Sequence, residues 1–244
     1  MKKKLLILFL ISSFLGFSQK SELVTKVVYK YIIKDSENSK NDDFYSKLSD
    51  ELDQMRVNLV FNKDNGAYYF IEDHSKKNNQ YYGLATSLIA RNYTYNFKTN
   101  TSTIFQKWLT NNYYYTESLN NIEWTLLPEK KEINNLDCYK AVSVIKENKT
   151  NEFGKVYVKK TPVIAWYAPS LKCNVGPEGY NGLPGVVIEL FTGYGTYITE
   201  SINLNYTVDS KVLIGPNNYE KISKKEFIKL TSNTMKKANQ FRKK

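Results

Sequence analysis

The side chains best suited to catalysis are few and scattered. His74 is the only histidine, and it lies in the polar stretch from Glu72 to Lys77. A serine triad or a zinc site requires an imidazole together with orienting partners or further ligands, and a second histidine is not available. The sequence therefore identifies no catalytic residue, no metal ligand, no cofactor-binding residue and no cofactor.

The two cysteines permit two arrangements. Cys138 and Cys173 are 35 residues apart, which excludes a Cys-x-x-Cys redox motif. In an oxidising compartment they could form a disulfide, and closing so long a loop would stabilise the fold by about 4 kcal/mol. Two separately buried thiols are the other arrangement, and the sequence leaves both open.

Carboxylates are the remaining catalytic groups. Glycoside hydrolysis needs only two of them, about 5 to 9.5 Å apart in one cleft, and 24 acidic residues are present. Glu123 and Glu189 lie on predicted strands, where a solvent-facing position would also account for each. A carboxylate-dependent glycan hydrolase is therefore an alternative function.

The first 18 residues have the order of a secretory signal peptide. Lys2, Lys3 and Lys4 precede an apolar run from Leu5 to Ile11 that continues through Phe17. This run is shorter than the roughly 20 residues that span a bilayer, and cleavage after Ser18 follows small residues. We predict an exported protein, periplasmic or secreted, with no transmembrane segment in its mature chain. No cysteine stands directly after the apolar run, so the predicted mature N-terminus cannot carry the lipid of a lipoprotein.

The positive charge is concentrated at the C-terminus. The net charge is +11, and three of the basic residues belong to the predicted signal peptide. Residues 221–244 carry nine basic side chains and one acidic one, so residues 19–220 sum to zero. Because the body is neutral and export separates it from nucleic acid, no nucleic-acid partner is expected.

Hydrophobic spacing predicts a β-rich single domain over residues 19–244. Ser21–Ile33 is a β-branched and aromatic run typical of a strand, 42–55 has helical spacing, and a hairpin turns at Asp64-Asn65-Gly66. From Asn92 onward strands follow one another closely, which favours antiparallel pairing. Ser223 and Glu226 form a capping box that begins a helix at about 224–240. We expect one curved antiparallel sheet or half-barrel with a short helix near the N-terminus and a C-terminal helix.

The most specific motif runs from Ala165 to Leu190. It contains Ala-Trp-Tyr-Ala-Pro at 165–169 and Gly-Leu-Pro-Gly-Val-Val at 182–187, and Pro184-Gly185 suits the centre of a type II turn. Together with Trp124 and the Cys138-Tyr-Lys140-Ala141 run, it resembles the GLPGLI family of exported bacterial proteins. The resemblance implies no assigned activity and transfers no catalytic residue.

Three functions are compatible with these features. The first is a non-enzymatic binding or carrier protein for an apolar or amphiphilic ligand, which the 20 tyrosines could help to line. Its cavity mouth would contain the following motif residues: Trp166, Tyr167, Gly182, Leu183, Pro184 and Gly185. The second is the glycan hydrolase. The third is an envelope protein that docks an anionic partner or lipid surface with its basic C-terminal helix.

Overall fold

The computed structural model describes residues 20–34, 42–150 and 156–232. The predicted signal peptide, its cleavage point after Ser18 and residues 233–240 of the predicted C-terminal helix lie outside these ranges.

The described chain is mainly β, as predicted. Its twelve strands form one sheet in the order β12-β6-β5-β4-β3-β2-β1-β11-β10-β9-β8-β7. The elements are β1 (Ser21–Ile33), α1 (Asp43–Gln54), β2 (Val57–Phe61), β3 (Asn65–Phe70), α2 (Gln80–Ile89), β4 (Asn92–Asn96), β5 (Thr101–Trp108), β6 (Asn111–Ser118), β7 (Thr125–Ile133), β8 (Leu136–Thr150), β9 (Val156–Ala168), β10 (Val186–Phe191), β11 (Gly195–Asp209), α3 (Ser210–Ile214), β12 (Glu220–Lys221) and α4 (224–232).

Neighbouring strands are antiparallel, with one exception. The two-residue strand β12 runs parallel to β6. Within the described ranges β7 and β12 are the outermost strands, so the sheet is open. In β7, Pro128 has no N–H to donate, and the pairing with β8 shifts register between Leu126 and Lys130.

The sheet has two faces with different contents. On the face that we call inner, buried side chains alternate along the strands and include many tyrosines. Tyr29, Tyr68, Tyr95 and Tyr197 are the largest of its fully buried residues. The opposite, outer face has a smaller core around Val24, Val60, Ala67, Val208 and Leu213. The inner face therefore holds most of the packing energy.

Two helices cover part of the inner face. In α1, Asp42 caps the N-terminus and Leu52 is buried. The helix α2 (Gln80–Ile89) is absent from the sequence prediction. Asn79 accepts hydrogen bonds from the backbone N–H groups of Tyr81 and Tyr82, and this cap fixes the start of the helix.

The motif loop between β9 and β10 also lies over the inner face. The predicted type II turn is wrong, because the N–H of Gly185 donates to the carbonyl of Leu183 (2.8 Å) and Gly185 has a φ of 158°. A Cβ on Gly185 would lie 2.4 Å from the carbonyl oxygen of Ala168. Glycine is needed there because the backbone closely approaches the end of β9.

The capping box predicted at the start of the last helix is formed. Ser223 N–H donates to Glu226 Oε2 (2.8 Å), and Glu226 N–H donates to Ser223 Oγ (3.1 Å). Phe227 packs against the rings of Tyr113 and Tyr115 in β6. The first turns of this helix therefore pack on the sheet edge and do not project into solvent. Among residues 20–34, 42–150 and 156–232, no helix has both the length and the apolar character needed to cross a membrane.

Candidate binding groove and buried carboxyl cluster

An apolar groove opens on the outer face of the sheet. It has a volume of about 580 Å³ and lies between strands β3–β5 and the segment 211–219. Its lining residues are Ala67, Tyr68, Tyr69, Phe70, Asn92, Tyr93, Thr94, Phe105, Lys107, Lys211, Val212, Ile214, Gly215, Pro216, Asn217 and Tyr219. This volume lies within the range of ligand sites.

Local contacts fix the wall formed by residues 211–219. Asp209 accepts the N–H of Lys211 and caps α3, and Leu213 anchors the helix in the outer-face core. Gly215 then adopts a φ of +85°. A Cβ at Gly215 would lie 2.5 Å from the ring of Phe105, so this wall presses directly on the groove floor.

The groove combines apolar walls with positive charge. Phe105 and Tyr219 make an edge-to-face contact with ring centroids 5.3 Å apart, and Ile214 leaves 68% of its surface in water. Lys107 forms an ion pair with Glu72 at 3.4 Å. Lys211 has no ion pair within 4.0 Å among the residues that the structure describes. An apolar chain with an anionic end would match both features.

A buried carboxyl group lies on the inner face. Glu178 belongs to the short 3-10 turn Pro177–Gly179 and has a φ of +56°, a conformation that costs energy for a residue with a Cβ. Its Oε2 lies 3.2 Å from Nε of Arg91. Tyr93 donates its hydroxyl to the carbonyl of Glu178 (3.1 Å). Within the described ranges, Oε1 of Glu178 has no hydrogen-bond partner.

Burial dominates the titration of this cluster. Removal from water raises the pKa of Glu178 to about 7, while the Arg91 charge and the hydroxyls of Tyr68 and Tyr197 offset part of the rise. The pKa of Tyr68 and that of Tyr197 are raised well above 10, first by burial and then by nearby groups that include Glu178. Glu178 can therefore exchange a proton near neutral pH.

The two strand carboxylates considered for glycan hydrolysis, Glu123 and Glu189, lie in different surroundings. The groups that shift Glu178 include no second carboxylate. Glu123 is exposed, and Glu189 is engaged by Lys131 at 2.9 and 3.0 Å. In the described part of the chain, no group of three or more His, Cys, Asp or Glu residues could hold a metal ion.

The predicted mouth residues lie in different places. Tyr167 is buried on the inner face beside Tyr139, with ring centroids 6.2 Å apart, and borders a cavity of about 680 Å³. Trp166 is its neighbour in β9 and points to the outer face, because side chains alternate along a strand. There Lys131 lies 4.5 Å from its ring centroid.

Residues 182–185 of the motif loop lie apart from both Trp166 and Tyr167. Leu183 is almost fully buried in the inner core, and the N–H of Gly182 donates to Asn174 (2.8 Å). Pro184 and Gly185 border another cavity of about 400 Å³. The structure thus does not assemble the six predicted residues into a single mouth.

The two cysteines are separate, buried thiols. Burial raises the pKa of Cys138 to about 11 and that of Cys173 to about 12. Both therefore remain protonated at neutral pH, which makes them poor nucleophiles. This is the second of the two arrangements that the sequence left open.

Sequence reasoning missed the residues of both sites. Arg91 and Glu178 are 87 positions apart, and no spacing rule connects them. The only local signal is the placement of Glu178 between Pro177 and Gly179, which indicates a tight turn. The groove residues also come from distant segments, so only the fold reveals them.

Comparison with known proteins supports a family of unknown function. A family profile described as "Protein of unknown function (Porph_ging)" matches residues 124–189. The match covers all of β7, β8 and β9, the motif loop and the start of β10. It is consistent with an uncharacterised bacterial family and does not confirm the GLPGLI name.

Two similar solved structures share the fold at low sequence identity. They are titled "Structure of PNGF-II in C2 space group" and "Structure of PNGF-II in P21 space group". Each is 15% identical, with TM-scores of 0.55 and 0.56 over 85% and 86% of this chain. The present chain spans about a third of those chains, 32% and 33%. A comparison with curated proteins finds no match.

Proposed function

We propose that this protein is a non-enzymatic binding or carrier protein of the cell envelope. Its ligand is an apolar or amphiphilic molecule with an anionic end, and the outer-face groove is the binding site. The observation that carries the proposal is the 580 Å³ groove with aromatic and aliphatic walls and two lysines. The signal-like order of residues 1–18 supports export.

The half-barrel predicted from the sequence belongs to the same proposal. Tyr68 in β3 and Tyr197 in β11 are three strands apart, a separation of roughly 14 Å in a flat sheet. Yet each hydroxyl affects the pKa of the other. Two tyrosine side chains that lean toward each other can bridge this distance, and a sheet that is concave on its inner face, with the groove on its convex side, would bring them closer.

The apolar part and the anionic end of the ligand would contribute differently to the binding free energy. Apolar burial against Phe105, Ile214 and Tyr219 would supply most of it, at about 25 cal/mol per Å² removed from water. Lys107 and Lys211 would select an anionic group. Because Lys107 already has a partner in Glu72, we expect Lys211 to discriminate more strongly.

The test is a binding assay with a fluorescent long-chain fatty acid and its uncharged alcohol. Lys211→Gln should weaken fatty-acid binding by roughly tenfold and leave alcohol binding unchanged. Thr94→Trp, which fills the groove floor, should weaken both. Lys77→Gln is the matched control, since Lys77 is exposed outside the groove, and it should change neither.

Two results would contradict the proposal. One is that neither probe binds the unaltered protein. The other is that the probes bind as well to a correctly folded Thr94→Trp variant as to the unaltered protein, which would place the ligand elsewhere. Unchanged thermal unfolding of each variant establishes that a loss of binding comes from the groove.

A further inference from the structure

The longest hairpin extends past its neighbours in the sheet. The pairing of β8 with β9 continues from Tyr139 opposite Tyr167 to Thr150 opposite Val156, without a register shift. By contrast, β7 pairs with β8 only as far as Val142, and β10 pairs with β9 only as far as Ile164. Beyond these points the hairpin is a two-stranded ribbon without strand neighbours among the described residues.

One face of this ribbon is both apolar and cationic. Because opposite residues in an antiparallel pair share a face, the register shows which face of the ribbon each residue belongs to. The outward-facing residues, which we call the outer strip, are Val142, Val144, Lys146, Asn148, Val156, Val158, Lys160, Pro162 and Ile164. Trp166 and Lys140 continue the strip at its base.

The apolar members of the strip are exposed to a degree that the fold does not explain. Val144, Val156 and Val158 leave 51%, 64% and 53% of their surface in water. Single exposed valines are ordinary, but here three lie on one face of a ribbon, on both sides of the Lys146–Lys160 pair. A two-stranded ribbon is marginally stable without a further contact.

The charges of the strip are unbalanced. Lys146 is directly opposite Lys160, and like charges in that position destabilise a sheet. No ion pair within 4.0 Å engages either lysine in the described part of the chain. The outer strip therefore carries two adjacent positive charges without a counter-charge among the described residues.

We propose that the outer strip docks the protein on a lipid surface that carries anionic headgroups. From Trp166 to Val156 the strip is about 33 Å long. Its lower half borders an open cavity of about 1040 Å³, and it has only one aromatic anchor, whereas protein partners usually use several. A lipid surface needs only apolar area flanked by positive charge. This site is distinct from the groove and does not depend on the ligand proposed for it.

Vesicle co-sedimentation of the protein as isolated from its native host tests the proposal. Vesicles contain either phosphatidylcholine alone or an equal mixture with phosphatidylglycerol. The unaltered protein should bind the mixture, and raised salt should weaken that binding. The double variant Lys146→Glu/Lys160→Glu should weaken it tenfold or more, and Val156→Ser/Val158→Ser should weaken it severalfold.

The matched control is Lys63→Glu/Lys77→Glu. It changes the net charge by the same amount at exposed positions away from the strip and should bind almost normally. Equal loss in both charge variants would overturn the proposal, because binding would then follow net charge alone. Binding to a soluble polyglutamate but not to vesicles would also overturn it, in favour of an acidic polypeptide partner.

Discussion

The inner carboxyl cluster and the outer groove depart from ordinary packing in opposite directions. On the inner face, Glu178 places an ionisable group among buried tyrosines. On the outer face, Ile214 and its neighbours leave apolar surface in water beside a 580 Å³ groove. The first arrangement costs stability when the carboxyl group is ionised, and the second lets a ligand stabilise the fold.

The difference shows where binding is possible. Around Glu178 the inner face is filled with buried side chains, so this region responds to protons. The outer face has space and apolar walls, so it responds to ligands. The following predictions test this division, from the largest effect to the smallest.

Removing a core side chain from the motif loop should have the largest effect. Leu183 is 1% exposed, and Leu183→Ala should lower the free energy of unfolding by about 2 to 5 kcal/mol. Pro184→Ala, at the exposed next position, should change it by less than about 0.5 kcal/mol. Urea denaturation measures both values. Similar effects for both variants would show that the loop is not part of the inner core.

The charge state of Glu178 should make stability depend on pH. Its pKa is raised from 4.5 to about 7, so the folded protein holds this proton more tightly than the unfolded chain. The stabilisation is fully present below pH 4.5 and is lost as the pH rises through 7, by about 3 kcal/mol. Glu178→Gln should remove this pH dependence in urea titrations between pH 5 and pH 8. An unchanged pH dependence would contradict the burial of Glu178.

The tyrosine that holds the turn of Glu178 should contribute less. Tyr93 donates to the carbonyl of Glu178 at 3.1 Å, and Tyr93→Phe should cost about 1 kcal/mol. Tyr114→Phe is the control, since its ring is packed near Phe105 on the outer face. Thermal unfolding should separate the two variants. If Tyr114→Phe lowers the free energy of unfolding more than Tyr93→Phe does, the hydroxyl of Tyr93 does not hold the turn in place.

A change in the groove wall should have the smallest effect on stability. Ile214 is 68% exposed, so Ile214→Ser should shift the free energy of unfolding by less than about 0.5 kcal/mol. The same change should weaken fatty-acid binding severalfold, which isothermal titration calorimetry can measure. A large loss of stability with intact binding would reverse the assignment of the two regions.

Strand pattern was predictable from the sequence, and the functional geometry was not. The β-branched run at Ser21–Ile33 coincides with β1 because alternation along a strand is a local property. The cap at Asn79 is also a local feature, but the sequence prediction contains no helix over residues 80–89. The meeting of Arg91 with Glu178 depends on how distant segments fold together, and no local rule predicts it.

The edge strand β7 has a consequence for how this protein behaves at high concentration. Pro128 cannot donate a hydrogen bond, and the register shift between Leu126 and Lys130 interrupts the row of backbone groups that another sheet would need as a template. Exposed sheet edges commonly recruit further chains into aggregates. At the opposite end, residues 224–232 pack by Phe227 against β6. Within the described residues, both ends of the strand order therefore lack a continuous ladder, and the unpaired backbone rows that another chain could extend are those of the β8–β9 ribbon.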